Sequence, residues 1–155
     1  MNRSRTTAAG AAVLLGLSTL GGAAALSQAS ASSAPGDWHV KHFVSKSIRE
    51  TDTKTGFVGT EVARSHGKVI GYDSLSGRFF PKRNRVVIRV GVALRGGVIM
   101  GRLSADAPAE DEDIRFTGPI LGGAGFYHGI SGRITAVVHA NDPEDRAFVT
   151  LRWRR

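Results

Sequence analysis

The chain has 155 residues, the size of one domain, and its lack of cysteine excludes disulfides, thiolate metal sites and cysteine nucleophiles. Lysine and arginine outnumber aspartate and glutamate 21 to 13, giving a formal charge of +8. A basic balance of this kind fits either a soluble arginine-rich surface or attraction to an anionic polymer. No motif of a specific nucleic-acid reader accompanies it, and aromatic residues are few for a single-strand stacking surface.

The first element is a leader. Arg3 and Arg5 give a short basic start, an uncharged stretch rich in Ala, Gly and Leu follows over 6–26, and Ala29-Ser30-Ala31 is a small-x-small cleavage site. This is the pattern of a secretory signal peptide over 1–31, removed on export to the extracellular space. Loss of the two arginines lowers the charge of the mature chain to +6. Residues 32–37 are small and read as a flexible linker, and 38–155 as the folded domain.

From Trp38 onward the hydrophobic period is two. Trp38, Val40 and Val44 alternate first. Residues 57–63 and 68–72 flank a turn at Ser65-His66-Gly67. Over 86–94 the pattern is clearest, with Val86, Ile88, Val90, Val92 and Leu94 on one face. Arg95-Gly96-Gly97 then turns the chain into a returning run over 98–103, a hairpin signal. Residues 105–113 carry five acidic side chains and Pro108 and read as an exposed loop. Ile114, Phe116 and Ile120 share a face, as do Ile134, Ala136 and Val138, and Ala147, Val149, Leu151 and Trp153 close the chain. A turn-rich segment over 141–145 separates the last two runs. About eight short strands without a helix predict an all-β sandwich or closed barrel, between which periodicity does not choose.

One segment is more specific. Gly122-Gly123-Ala124-Gly125-Phe126-Tyr127-His128-Gly129-Ile130-Ser131-Gly132 places five glycines at fixed offsets between two strands. Such glycines permit positive φ and close backbone approach, and the aromatic pair is suited to plugging a barrel end. The segment resembles the Gly-Gly-Thr-Gly-x-Tyr/Phe-x-Gly-Ala-x-Gly signature of the dirigent and allene oxide cyclase superfamily. Val69-Ile70-Gly71-Tyr72-Asp73 resembles that family's Gly-x-Asp strand, and Leu94-Arg95-Gly96-Gly97-Val98-Ile99-Met100-Gly101 its glycine hairpin. The resemblance runs from about Gly56 to Trp153.

The resemblance implies an eight-stranded antiparallel β-barrel of calycin-like form, with a hydrophobic lumen and commonly trimeric assembly. It also implies ring closure or coupling of a small hydrophobic or phenolic molecule, an isomerase-type activity, with no cofactor. There are departures. Ile130-Ser131 stands where dirigent proteins usually have Ala-Arg, Ala124 replaces threonine, and the cyclase's lumen cysteine has no counterpart.

Polar residues in phase with apolar neighbours are the candidates for a lumen site. His42 is in phase with Trp38, Val40 and Val44, Glu61 with Phe57, Asp73 with Val69, and Arg102 with Val98 and Met100. With these faces inward, Asp73, Glu61 and Arg102 form an acid–base set. A buried carboxyl donates a proton near neutrality, and the guanidinium holds a carboxylate. His42, Tyr127 and His128 are candidate ligand contacts, the last two because they flank the glycine loop. The five histidines show no metal-ligand spacing, and no phosphate loop or catalytic nucleophile motif occurs. Two alternatives stand beside the cyclising barrel: a non-catalytic secreted binding protein docked on anionic cell-surface polymers, and a structural oligomer with a filled lumen.

Overall fold

A computed structural model describes residues 36–108 and 112–155. The expected leader over 1–31 and residues 32–35 of the expected linker lie outside the described residues. Eight strands follow in chain order: β1 (His39–Thr53), β2 (Gly56–Ser65), β3 (Lys68–Phe80), β4 (Arg85–Leu94), β5 (Gly97–Asp106), β6 (Ile114–Gly125), β7 (Ser131–Val138) and β8 (Arg146–Arg154). Each pairs antiparallel with the next, and β8 pairs with β1, so the sheet is a closed up-and-down barrel. Closure removes both sheet edges, which fits a small β domain without cross-links. Among the described residues a single 3-10 turn, Pro81–Arg83, interrupts the meander.

The strands at 85–94 and 97–106 are the hairpin expected from the sequence, and their inward residues are set by pairing. Ile88 faces Leu103 and Val92 faces Ile99 across the ladder, and all four are buried. Odd positions of β5 therefore point inward and even positions outward. On β1 the inward positions are Phe43 and Ser45, which pair with the inward Val149 and Ala147 of β8. The apolar run expected to face inward there is outside: Trp38 and Val40 are exposed. A bulge follows. The β1–β2 register shifts between Ser47 and Arg49, so one residue, Ile48, is left over and exposed. Beyond it the inward phase changes from odd to even, which turns Glu50 toward the lumen.

The two ends of the barrel differ. At one end Tyr127, Ile130 and Trp153 are buried, with the Tyr127 ring edge-on to Trp153 at 5.9 Å. The glycine segment makes this closure possible. Phe126 N–H donates to the Gly96 carbonyl at 2.8 Å, folding the chain after β6 back over the neighbouring hairpin. Gly125 adopts φ +64°, and a β-carbon there would strike the Gly96 carbonyl oxygen. Below this plug Ile99, Leu151, Ile134 and Ala63 are packed almost without exposure. The other end, bounded by the β1–β2, β3–β4 and β7–β8 connections, is open among the described residues.

Candidate functional site

The open half of the barrel encloses a cavity of about 730 Å³. Its walls are apolar, with Phe57, Phe79, Ile88, Val90, Phe116 and Val149 among them. At its floor two carboxylates stand side by side. Glu61 of β2 and Asp73 of β3 are direct cross-strand partners on the inner face. They sit at the level of Val92, which pairs with Asp73 on the other side and marks the top of the packed half. Glu50 and Asp145 line the mouth.

Strand geometry explains why the pair forms. Along β2, Phe57, Gly59, Glu61 and Ala63 point inward; along β3, Asp73, Leu75 and Gly77 do. Like charges directly opposite on one face of a ladder are destabilising, and burial adds a desolvation cost. The response is protonation. Burial pushes the Asp73 carboxyl up to about 6, partly offset by the Ser45 hydroxyl. Burial, then the charges of Asp73 and Glu50, push Glu61 up to about 7. Because the two groups interact, their titrations belong to the pair.

Ser45 is the third member of the site. Buried on β1, it donates from Oγ to Asp73 Oδ2. Asp73 Oδ1, equally buried, has no hydrogen-bond partner among the described residues. An orphaned acceptor in this position is costly unless it is protonated or meets a donor. The arrangement thus presents a neutral or singly ionised acid pair, aimed from the floor of a largely apolar cavity at whatever the cavity holds. It is equipped to donate a proton or a strong hydrogen bond to a bound molecule.

The other residues expected in the lumen are elsewhere. Arg102 is exposed on the outer face of β5, where it lines a surface groove with Arg85 and Phe80. The apolar residues in phase with it, Val98 and Met100, belong to the outer face, which corrects its expected place beside the carboxylates. His42 is likewise outside, its Nδ1 3.0 Å from Thr150 Oγ1, because pairing with β8 turns Phe43 rather than His42 inward. Tyr127 is part of the sealing plug, and burial raises its phenol pKa. His128 is exposed on the turn beside it. Neither touches the cavity. Ser45 and Glu50 were not anticipated. A signal for Ser45 exists in Phe43-x-Ser45-x-Ser47, the opposite phase of β1; nothing local announces the bulge that redirects Glu50.

This barrel has solved counterparts. It matches a structure described as pyocyanin demethylase with a TM-score of 0.57 at 19% identity, covering 74% of this chain and 99% of that one. The Diels-Alderase AbmU from Streptomyces koyangensis matches with a TM-score of 0.61 at 17% identity, covering 77% of this chain and 70% of that one. AbnU, described as an exo-specific intermolecular Diels-Alderase, gives 0.57 at 17% identity over 77% of this chain and 100% of that one. At such identities the likeness establishes the fold and leaves the chemistry to the site. No protein-family model matches the chain, and no curated protein sequence matches it.

Proposed function

We propose that this protein binds a small, largely apolar molecule in its lumen and steers its cyclisation or coupling without an added cofactor. One observation carries the reading: the Glu61–Asp73 pair at the floor of an apolar cavity of about 730 Å³. A cavity of that size holds a drug-sized molecule. Its walls select one folded conformer, and the acid pair protonates or hydrogen-bonds the oxygen or nitrogen on which charge develops. Ring closure then draws on the reactivity of the substrate. Support comes from the named activities of similarly folded barrels, Diels-Alderases among them, and from the resemblance of the glycine segments to the dirigent and allene oxide cyclase superfamily. Tyr127 and the glycine segment serve this reading as the seal that keeps one end dry.

The test incubates the purified protein with fatty-acid epoxides, phenoxy-radical precursors and linear triene–dienophile substrates. A product distribution that departs from the buffer control supports the reading, with the Asp73→Asn, Glu61→Gln double variant losing on the order of 10²-fold in rate. Unchanged products and no ligand binding across all three classes would sink it. Export belongs to the same proposal. Cleavage after Ala31 predicts Ser32 at the N-terminus of protein recovered from the medium, read directly by N-terminal sequencing.

A second reading rests on the outer face. Arg89 and Arg102 are direct cross-strand partners on β4 and β5, and so are Arg133 and Arg152 on β7 and β8. Pro119 of β6 pairs with Arg133, and the β5–β6 register that joins Ser104 to Thr117 sets Arg102 beside Pro119, so the four guanidiniums lie in one row around the barrel. Among the described residues none of them makes an ion pair. Such a row fits docking on an anionic cell-surface polymer. Retention on a teichoic-acid resin well above physiological salt supports this; elution at low salt counts against it.

A further inference from the structure

The charge of the cavity runs against the charge of the chain. The protein carries a net +8, yet the cavity is lined by Glu50, Glu61, Asp73 and Asp145 and by no lysine, arginine or histidine among the described residues. A pocket built only to donate one proton needs one acid. Four acids and no base give the pocket a negative potential whenever the pair is ionised, and low-dielectric walls concentrate that field. The floor adds a directional element. Asp73 is 3% exposed, its Oδ2 accepts from Ser45, and its Oδ1 faces no donor among the described residues. The aromatic rings of Phe57, Phe79 and Phe116 on the walls offer faces that also attract cations.

Resting on the lumen-binding reading above, we propose that the natural ligand is an apolar, ring-bearing molecule with a cationic or protonated nitrogen. The nitrogen seats against Asp73 and Glu61, and the body lies against the apolar wall. The N–H of a protonated amine satisfies Asp73 Oδ1; a quaternary or ring cation is held by charge and by the aromatic walls. Anionic ligands are disfavoured by the same carboxylates once these are ionised.

Protonation couples to this selectivity. The groups facing the pair are Ser45 and Glu50 from β1 and Val92 from β4, with Asp145 at the mouth. None supplies a positive charge to hold the pair ionised. A bound cation does, so binding expels protons and strengthens as pH rises through about 6 and 7.

The experiment titrates the purified protein with three probes of one shape: N-methylacridinium, neutral anthracenemethanol and anthracenecarboxylate. At about pH 8 the cation should bind at least ~10-fold more tightly than the neutral probe, with the anion weakest. At about pH 5 that preference should collapse, and binding heats near pH 7 should vary with the ionisation heat of the buffer as protons are released. The Asp73→Asn, Glu61→Gln variant should keep the circular-dichroism spectrum and cooperative melting of the parent, which shows its barrel intact, and lose the preference for the cation. Equal affinity for cation and neutral probe, or a preference that survives the double substitution, overturns the proposal while leaving the lumen-binding reading in place. Failure of all three probes to bind overturns both.

Discussion

The sealed half of the barrel and the open half are built from the same eight strands, yet they are solved in opposite ways. In the sealed half the inward positions include Ile99, Leu151, Ile134 and Ala63, filled to the point of near-zero exposure. In the open half the inward positions include Ala136, Ala147 and Val138, too small to meet across the lumen, and two acids occupy the boundary. Tightly packed side chains are concentrated in the first region, and the candidate site lies in the second. A barrel with no cross-links can leave half its lumen unfilled because the other half is packed like a protein core.

The largest expected effect tests that division directly. Ile99→Ala removes a fully buried side chain from the sealed half and should cost about 2–5 kcal/mol, because packed neighbours relax only partly around the void. Ile114→Ala, the same chemical change at a half-buried position on the cavity wall, should cost about 1 kcal/mol or less, since the site already borders open space. Equilibrium denaturation of the two variants decides the matter. Equal losses would mean that the lumen is collapsed in solution and that the two halves do not differ.

The second effect is a gain. Asp73 and Glu61 hold their protons more tightly in the folded chain than at their ordinary values of 3.8 and 4.5. Folding therefore takes up protons between about pH 4 and about pH 7, so the stability these groups allow at low pH is lost as pH rises through about 6 and 7. Holding the Asp73 proton up to about 6 corresponds to roughly 3 kcal/mol. Asp73→Asn removes that liability and keeps an acceptor for Ser45. It should stabilise the barrel by about 2–3 kcal/mol at pH 8 and by almost nothing near pH 4, read as the difference in melting temperature between the two proteins across that range. A variant destabilised at pH 8 would show that Asp73 is a structural anchor rather than a charge retained for function.

Legibility in the sequence followed the same division. Strands β4 and β7 announce themselves because their inward faces are strongly apolar: Val86 to Leu94 by twos, then Ile134, Ala136 and Val138. Closure did not follow from period, since a sandwich alternates in the same way; it was implied only by the family resemblance that the glycine segments carry. Glu61 was visible as a polar residue in phase with Phe57; Asp73 was picked out by phase with Val69, yet Val69 is exposed, because the β2–β3 register shifts between Ala63 and Arg64 and breaks that phase. Arg102 and His42 were misplaced for one physical reason. On β1 and β5 both faces carry apolar residues, Val40 and Ile48 outside against Phe43 inside, and Met100 outside against Ile99 inside. Alternation then has two solutions, and only the partner strand decides. Ser45 was lost with the wrong phase of β1, and Glu50 with a bulge that exists only in the pairing.

The smallest expected effect concerns the outer wall, and it separates charge placed for binding from charge placed for folding. Arg89 and Arg102 stand directly opposite on adjacent strands, as do Arg133 and Arg152. Cross-strand like charges oppose folding by a few tenths of a kcal/mol up to about 1 kcal/mol when exposed. Arg102→Ser should therefore leave the barrel as stable or more stable by up to ~0.5 kcal/mol, with the gain shrinking as added salt screens the pair. Arg152 offers the contrast within the same row, because its guanidinium lies over the Trp38 ring at 4.4 Å. Arg152→Ser gives up that packing along with the repulsion, so its gain should be smaller or reversed by about 0.5–1 kcal/mol. If both variants instead lost stability equally at every salt concentration, the arginines would be part of the scaffold. If only Arg152→Ser does, the Arg89–Arg102 pair is a cost that folding alone does not explain, and a surface waiting for negative charge does.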